Sequence, residues 1–311
     1  METRNFGRTG LRVSALGFGA APMGYLNVDH GEAARLLNTV LDVGINLIDT
    51  AASYPDAEVV IGQAIASRRD QFVLVSKCGQ AVPHLKGAGR NWSPELITAT
   101  VDASLQRLRT DRLDVMLLHS CGLDVLQKGD ALGALVRARE AGKVRYVGYS
   151  GDNEAAAFAL ALPDVAVLET SVSICDQANV DTVLPLAVKQ NAGVLAKRPI
   201  ANTAWKPLSE HVGIYASYAK PYVERFAAMG VSLSDLGDDG RGADWPEIAL
   251  RFTLSQPGVH CAIIGTTRAE HARANVEAVD EGPLHADALR ALREAFTRAQ
   301  RAGGQPWPGL T

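Results

Sequence analysis

Eight short apolar runs recur along the chain, and most are separated by segments of helical periodicity. The runs are 13–19, 46–48, 72–77, 113–119, 144–149, 165–169, 193–196 and 261–264. His30 to Val43 places Ala33, Leu36, Leu37, Val40 and Leu41 on one helical face. Glu58 to Ser67 is a second helix, and a third starts at Ser93 with Pro94 at its first position and Glu95 in its first turn. Further helices are expected over Asp130 to Ala141 with Gly142 as stop, from Asn153, over Asn179 to Gln190, and from Ala269 to Val279. Eight strands alternating with helices in a chain of 311 residues specify a (β/α)8 barrel, read as one α/β domain over residues 1–311.

The competing α/β architecture is an open, doubly wound sheet. It would need a glycine-rich turn between its first strand and helix. Gly17-Phe18-Gly19 comes nearest, but Pro22 stands where a third glycine belongs and no helix is expected to open there. Three additions decorate the barrel. Turn residues around Phe6 to Leu11 predict an N-terminal β-hairpin. Trp205 to Trp245 forms a long insertion after the seventh strand, with a helical middle at Ala219 to Met229. Ala286 to Arg301 is an extra amphipathic C-terminal helix.

Composition removes several classes of function. A net charge of −3 gives no electrostatic reason to bind nucleic acid or an anionic membrane. No stretch approaches the ~20 apolar residues of a membrane span, and the start has no signal-peptide core. Cys78, Cys121, Cys175 and Cys261 are scattered without metal-ligand spacing. They are read as reduced and mostly buried, which places the protein in the cytoplasm and predicts no metal.

The candidate chemistry lies at strand ends, where barrel enzymes build their sites. Asp49 ends the second strand, Lys77 the third and His119 the fourth, with Tyr54 just beyond the second. Parallel neighbours lie ~4.8 Å apart, so the four side chains can converge. A phenol has an ordinary pKa of ~10. An adjacent ammonium is expected to lower it, which suits proton exchange with a carbonyl oxygen. Asp49 would hold Lys77, and His119 would orient the carbonyl. Trp92 and Trp205 fit either a pocket wall or core packing.

The passage from Gly44 to Gly62, with VSKC around Lys77 and LLHS around His119, resembles the aldo-keto reductase superfamily. The similarity extends to GKVRYVGYSG at the fifth strand and IIGTTRAEHARANV near the end. It implies a (β/α)8 barrel, an NAD(P)-dependent transfer of hydride between nicotinamide and an aldehyde, ketone or sugar, and Tyr54 as proton donor. It also implies Ser150 beside the nicotinamide carboxamide, and Gly265, Thr266, Arg268 and Asn275 around the adenosine phosphate and adenine. Arg268 indicates NADP, whereas His271, in place of a second arginine, leaves NAD open.

The sequence departs from the family pattern around the cofactor. Gly151 follows Ser150 where asparagine is usual, Glu169 replaces a glutamine, and Lys197 replaces an aromatic residue. Glu169 and Lys197, at neighbouring strand tips, are expected to pair; Lys197 and Arg198 could instead hold an anionic group of the substrate. The loops after strands one, three, four and seven would select the substrate. Two other functions compete: a cofactor-binding sensor subunit on the same fold, and a lyase forming a Schiff base on Lys77.

Overall fold

The computed structural model describes residues 1–26 and 28–310. An antiparallel hairpin of β1 (Thr3–Asn5) and β2 (Arg12–Ser14) precedes eight parallel strands. These are β3 (Leu16–Gly19), β4 (Leu47–Asp49), β5 (Val73–Cys78), β6 (Leu113–His119), β7 (Val144–Ser150), β8 (Val165–Ser171), β9 (Gly193–Lys197) and β10 (Cys261–Ile264). They follow one another around a closed barrel, with β10 pairing both β9 and β3.

Side chains alternate along a strand, so parity decides what enters the barrel. Leu47, Val73, Val75, Val115, Leu117, Val167, Leu195, Cys261 and Ile263 form the interior cluster. Their neighbours Ile48, Leu74, Met116, Leu118, Leu168, Val194, Ala262 and Ile264 pack outward against the helices. Phe6, Leu11 and Val13 of the hairpin join the interior cluster, and Tyr146 donates its hydroxyl hydrogen to Thr9 O. The hairpin thus plugs the amino-terminal end and leaves the carboxyl end open. Gly148 faces inward because nothing larger fits: a Cβ there would lie 2.3 Å from Val167 O and 2.4 Å from Leu117 Cδ2.

Several elements differ from their sequence-based limits. The run 13–19 is two strands, because Arg12–Ser14 belongs to the hairpin and the chain bends at Ala15 before joining the barrel. A short helix, Ala21–Tyr25, does open after β3, with Pro22 in its first turn. Proline has no N–H to lose there, so it is tolerated. The expected helix 179–190 is two pieces, Ala178–Thr182 and Leu184–Lys189, with Pro185 starting the second. The insertion's helix begins earlier, at Ile214, and runs to Met229. Trp245 is the first residue of a further helix, Trp245–Leu254, capped by Asp244, whose side chain accepts from the Glu247 N–H.

The insertion and the C-terminal helix Ala286–Ala302 share a second apolar cluster that includes Tyr222, Met229, Ile248, Phe252, Leu292 and Phe296. Trp205 belongs to this packing, stacked on Trp245 at 6.2 Å between ring centroids. Trp92 lies over Gly79, where a Cβ would come within 2.0 Å of its ring. Core packing therefore accounts for both tryptophans. No helix among the described residues is long and apolar enough to cross a membrane. All four cysteines are buried and unpaired.

Candidate active site

The inward parity that fills the barrel with Leu47, Val75, Leu117, Val167 and Leu195 brings Asp49, Lys77, His119, Glu169 and Lys197 to the next inward position on the same strands. That position is the open, carboxyl end. The change from apolar to ionisable side chains at one level of the barrel makes the floor of a site.

Lys77 is the centre of this floor and is 1% exposed. Its Nζ donates to Asp49 Oδ1 at 2.6 Å and to Thr50 O at 3.1 Å, and lies 3.2 Å from Glu169 Oε2. Burial alone would favour the neutral amine, but the two carboxylates outweigh it and hold Lys77 well above the usual lysine range. The expected Glu169–Lys197 pair does not form. Lys197 Nζ lies 2.9 Å from Asp152 Oδ2, and Glu169 turns instead toward Lys77. Parity explains the contact: Glu169 and Lys77 both point into a barrel narrow enough for side chains to meet across it.

Tyr54 lies on the loop after β4, with Lys77 Nζ 5.4 Å from its ring centroid and the His119 ring edge-on at 5.9 Å. Its hydroxyl makes no hydrogen bond to another described residue. The phenol's pKa is raised, contrary to the sequence-based expectation. Burial is the largest cause; Lys77 pulls it down, but Asp49 and Glu169 push it up again. The ammonium donates to Asp49 Oδ1 and Thr50 O and not to the phenol, so its effect on Tyr54 is through space. His119 is pushed down to about 3 by burial and by Lys77, Lys197 and Arg198. It is a neutral imidazole at ordinary pH, with Nδ1 3.4 Å from Ser53 Oγ.

These residues open into a cavity of about 550 Å³. Asp49, Tyr54, His119, Ser150, Glu169 and Lys197 line it, and it runs on to Gly265. Thr266, Arg268 and Asn275 lie beyond its wall, on the loop and helix after Gly265. Other wall residues came with no motif: Tyr25 after β3, Gln80 after β5, Ser120 after β6, and His211, Tyr215 and Tyr218 in the insertion after β9. These are the four loops expected to shape the substrate space. Gly151 has a local reason, since a Cβ there would lie 2.4 Å from Tyr149 Oη, which donates to Cys121 O at 2.7 Å.

The segment that follows Gly265 suits an anion. The helix Ala269–Asp280 begins with no side-chain cap on its first-turn N–H groups. Uncapped N-terminal amides are donors for a phosphate. Thr266 Oγ1 accepts from Arg268 N at 3.1 Å, which fixes the turn, and the Arg268 side chain is exposed without an ion pair among the described residues.

The aldo/keto reductase family model matches residues 15–296. Among curated proteins, the chain is 25% identical to L-galactose dehydrogenase of Arabidopsis thaliana, with 90% of this chain and 89% of that protein covered. It is 29% identical to a probable voltage-gated potassium channel subunit beta of the same plant, covering 91% and 93%. A solved aldo-keto reductase from Bacillus halodurans superposes with a TM-score of 0.80 at 27% identity, over 95% of this chain and 96% of that one. A family match over nearly the whole length, on a closed barrel with its ionisable residues at the carboxyl mouth, means that the chain belongs to the aldo/keto reductase family.

Proposed function

We propose that the protein is a nicotinamide-dependent oxidoreductase acting on a small aldehyde, ketone or sugar, or on the corresponding alcohol. The observation that carries this reading is one continuous cavity lined by Tyr54, His119, Ser150, Glu169 and Gly265 together. When bound, the nicotinamide supplies or accepts the hydride. Ser150 and Glu169 would lie beside its ring, and the Gly265 loop, Thr266, Arg268 and Asn275 would hold its phosphate and adenosine end. Arg268 supports NADP, with NAD as the alternative.

The chain's own work is proton handling and orientation. Neutral His119 donates an N–H to the carbonyl oxygen and fixes its approach. Tyr54 donates its phenolic proton to the same oxygen in reduction and recovers it in oxidation. Its raised pKa keeps the donor form loaded, and the cation of Lys77 stabilises the phenolate left behind. Asp49 positions Lys77. The same ion pairing argues against a Schiff-base lyase, because a lysine held as an ammonium has no free lone pair for imine formation.

The test is a titration with NADPH and NADH, followed by turnover of an aldehyde, ketone and sugar panel at the reduced-nicotinamide absorbance band. Binding with turnover supports the proposal. Binding with no turnover of any substrate supports the sensor reading. Binding of neither cofactor rejects both.

A further inference from the structure

Two carboxylates and one ammonium are buried together at the barrel mouth, and their charges do not balance. Asp49 is 3% exposed, Glu169 4% and Lys77 1%. Lys77 Nζ donates to Asp49 Oδ1 and Thr50 O, while Glu169 Oε2, 3.2 Å away, is buried without a hydrogen-bond donor. Asp49 and Glu169 thus flank the same Nζ, at 2.6 and 3.2 Å. Two buried carboxylates on one ammonium cannot both ionise cheaply; one proton between them removes the repulsion and supplies the donor that Glu169 Oε2 lacks.

Among the described residues no other cation contacts this pair, and Arg198, which also lines the cavity, donates to Leu310 O. Tyr54, from the loop after β4, and His119, from β6, are neutral, and β10 presents the Cys261 thiol, pushed up by burial. Lys197, from β9, is engaged by Asp152. Asp49 is raised to about 8, by burial first and by Glu169 second, with Lys77 opposing both. Both carboxyl groups line the cavity, so a proton can reach solvent from either.

We propose that Asp49 and Glu169 share one proton beside Lys77, and that a cationic oxidised nicotinamide bound in this cavity expels that proton while the neutral reduced form does not. Glu169 is then a positioning residue whose charge reports the redox state of the cofactor. The inference rests on the nicotinamide reading of the cavity. The sign follows from electrostatics: an added cation favours the ionised carboxylate, so the proton leaves to bulk water in the pH range below about 8.

The experiment is calorimetric titration of the full-length protein at pH 7 with oxidised and reduced cofactor, in buffers of different ionisation enthalpy. The expected result is release of a substantial fraction of one proton per site with the oxidised form and none with the reduced form. In Glu169→Gln the release should vanish. The Kd of the oxidised form relative to the reduced form should rise by about tenfold. The wild-type comparison needs no variant, so a folding defect in Glu169→Gln leaves it decisive. Equal release with both forms, release with neither, or release that survives in a folded Glu169→Gln overturns the shared proton while leaving the cofactor reading intact. Failure of either cofactor form to bind overturns both.

Discussion

Asp152 Oδ2 and Lys197 Nζ lie 2.9 Å apart with both side chains largely buried, so the cation at the tip of β9 is committed to the scaffold. Asp152 also accepts from Thr170 Oγ1 at 2.8 Å, the Ser171 amide at 2.7 Å and Asn179 Nδ2 at 2.8 Å. One carboxylate thus joins the ends of β8 and β9 to the helix Ala178–Thr182. Removing it leaves a buried ammonium and several donors without their acceptor. Asp152→Ala should cost about 3–5 kcal/mol, read from denaturant unfolding at pH 7. A loss below about 1 kcal/mol would mean that water replaces the carboxylate at little cost.

The same carboxylate sets an acid limit. Burial would raise its pKa, but Lys197 and the bonds from Ser171 and Thr170 outweigh burial and hold it below the usual range. The unfolded value is ~3.9. Its contribution is therefore fully present above that pH and is lost as pH falls toward the lowered folded value. Acid unfolding followed by circular dichroism should show this loss below about pH 4 in the wild type. In Asp152→Asn that contribution should be gone.

His119 acts over a different window. Its unfolded pKa is ~6.5, and its folded value is pushed down to about 3. The unfolded chain therefore binds the proton first, and stability declines as pH falls from about 6.5 toward 3. The His119 imidazole resonances should not move between pH 8 and 5. A titration midpoint near 6.5 would show that the ring is solvated and can carry charge during turnover.

Tyr54→Phe removes a hydroxyl that bonds to no described residue while keeping the ring packed on Tyr25 and His119. Unfolding free energy should change by less than about 1 kcal/mol. Turnover with the best substrate of the panel should fall by ~10²–10⁴, in kcat rather than in cofactor Kd. Because the phenol's pKa is raised, the wild-type reductive rate should show no loss of this donor as pH climbs to ~10. Undiminished turnover in the variant would remove Tyr54 from the proton transfer.

The barrel was legible because its signal is repeated eight times, and the strand-end residues Asp49, Lys77 and His119 follow from strand parity alone. Contacts across the barrel were not. Sequence order makes Glu169 and Lys197 neighbours, but closure brings Glu169 to Lys77, three strands away around the cylinder, and leaves Lys197 to Asp152. The pKa of Tyr54 departs from expectation for a related reason: the motif shows one cation, while burial and the second carboxylate belong to the folded state. Tyr215 and Tyr218 gave no signal, because an insertion's helix can present any face until its packing is known.

Gly62 carries a constraint that its motif does not explain. It lies on the helix Ala57–Ile65, where a Cβ would sit 2.2 Å from Arg107 O and 2.8 Å from Leu108 C, both backbone atoms of the neighbouring helix. Alanine would gain about 1 kcal/mol in helix propensity. Against that, backbone cannot swing aside like a side chain, so the helices must separate, at a cost of typically 1–3 kcal/mol. The separation would not stay local, since Glu58 on this helix accepts from Ser76 Oγ at 2.8 Å, next to Lys77 on β5. Gly62→Ala should therefore lower Tm by several degrees, with the oxidised-cofactor Kd also weakened as Lys77 loses its fixed position. A lowered Tm with unchanged cofactor affinity would show that Lys77 keeps its place through the barrel and its carboxylate partners, and that the helix contact serves stability without reaching the site.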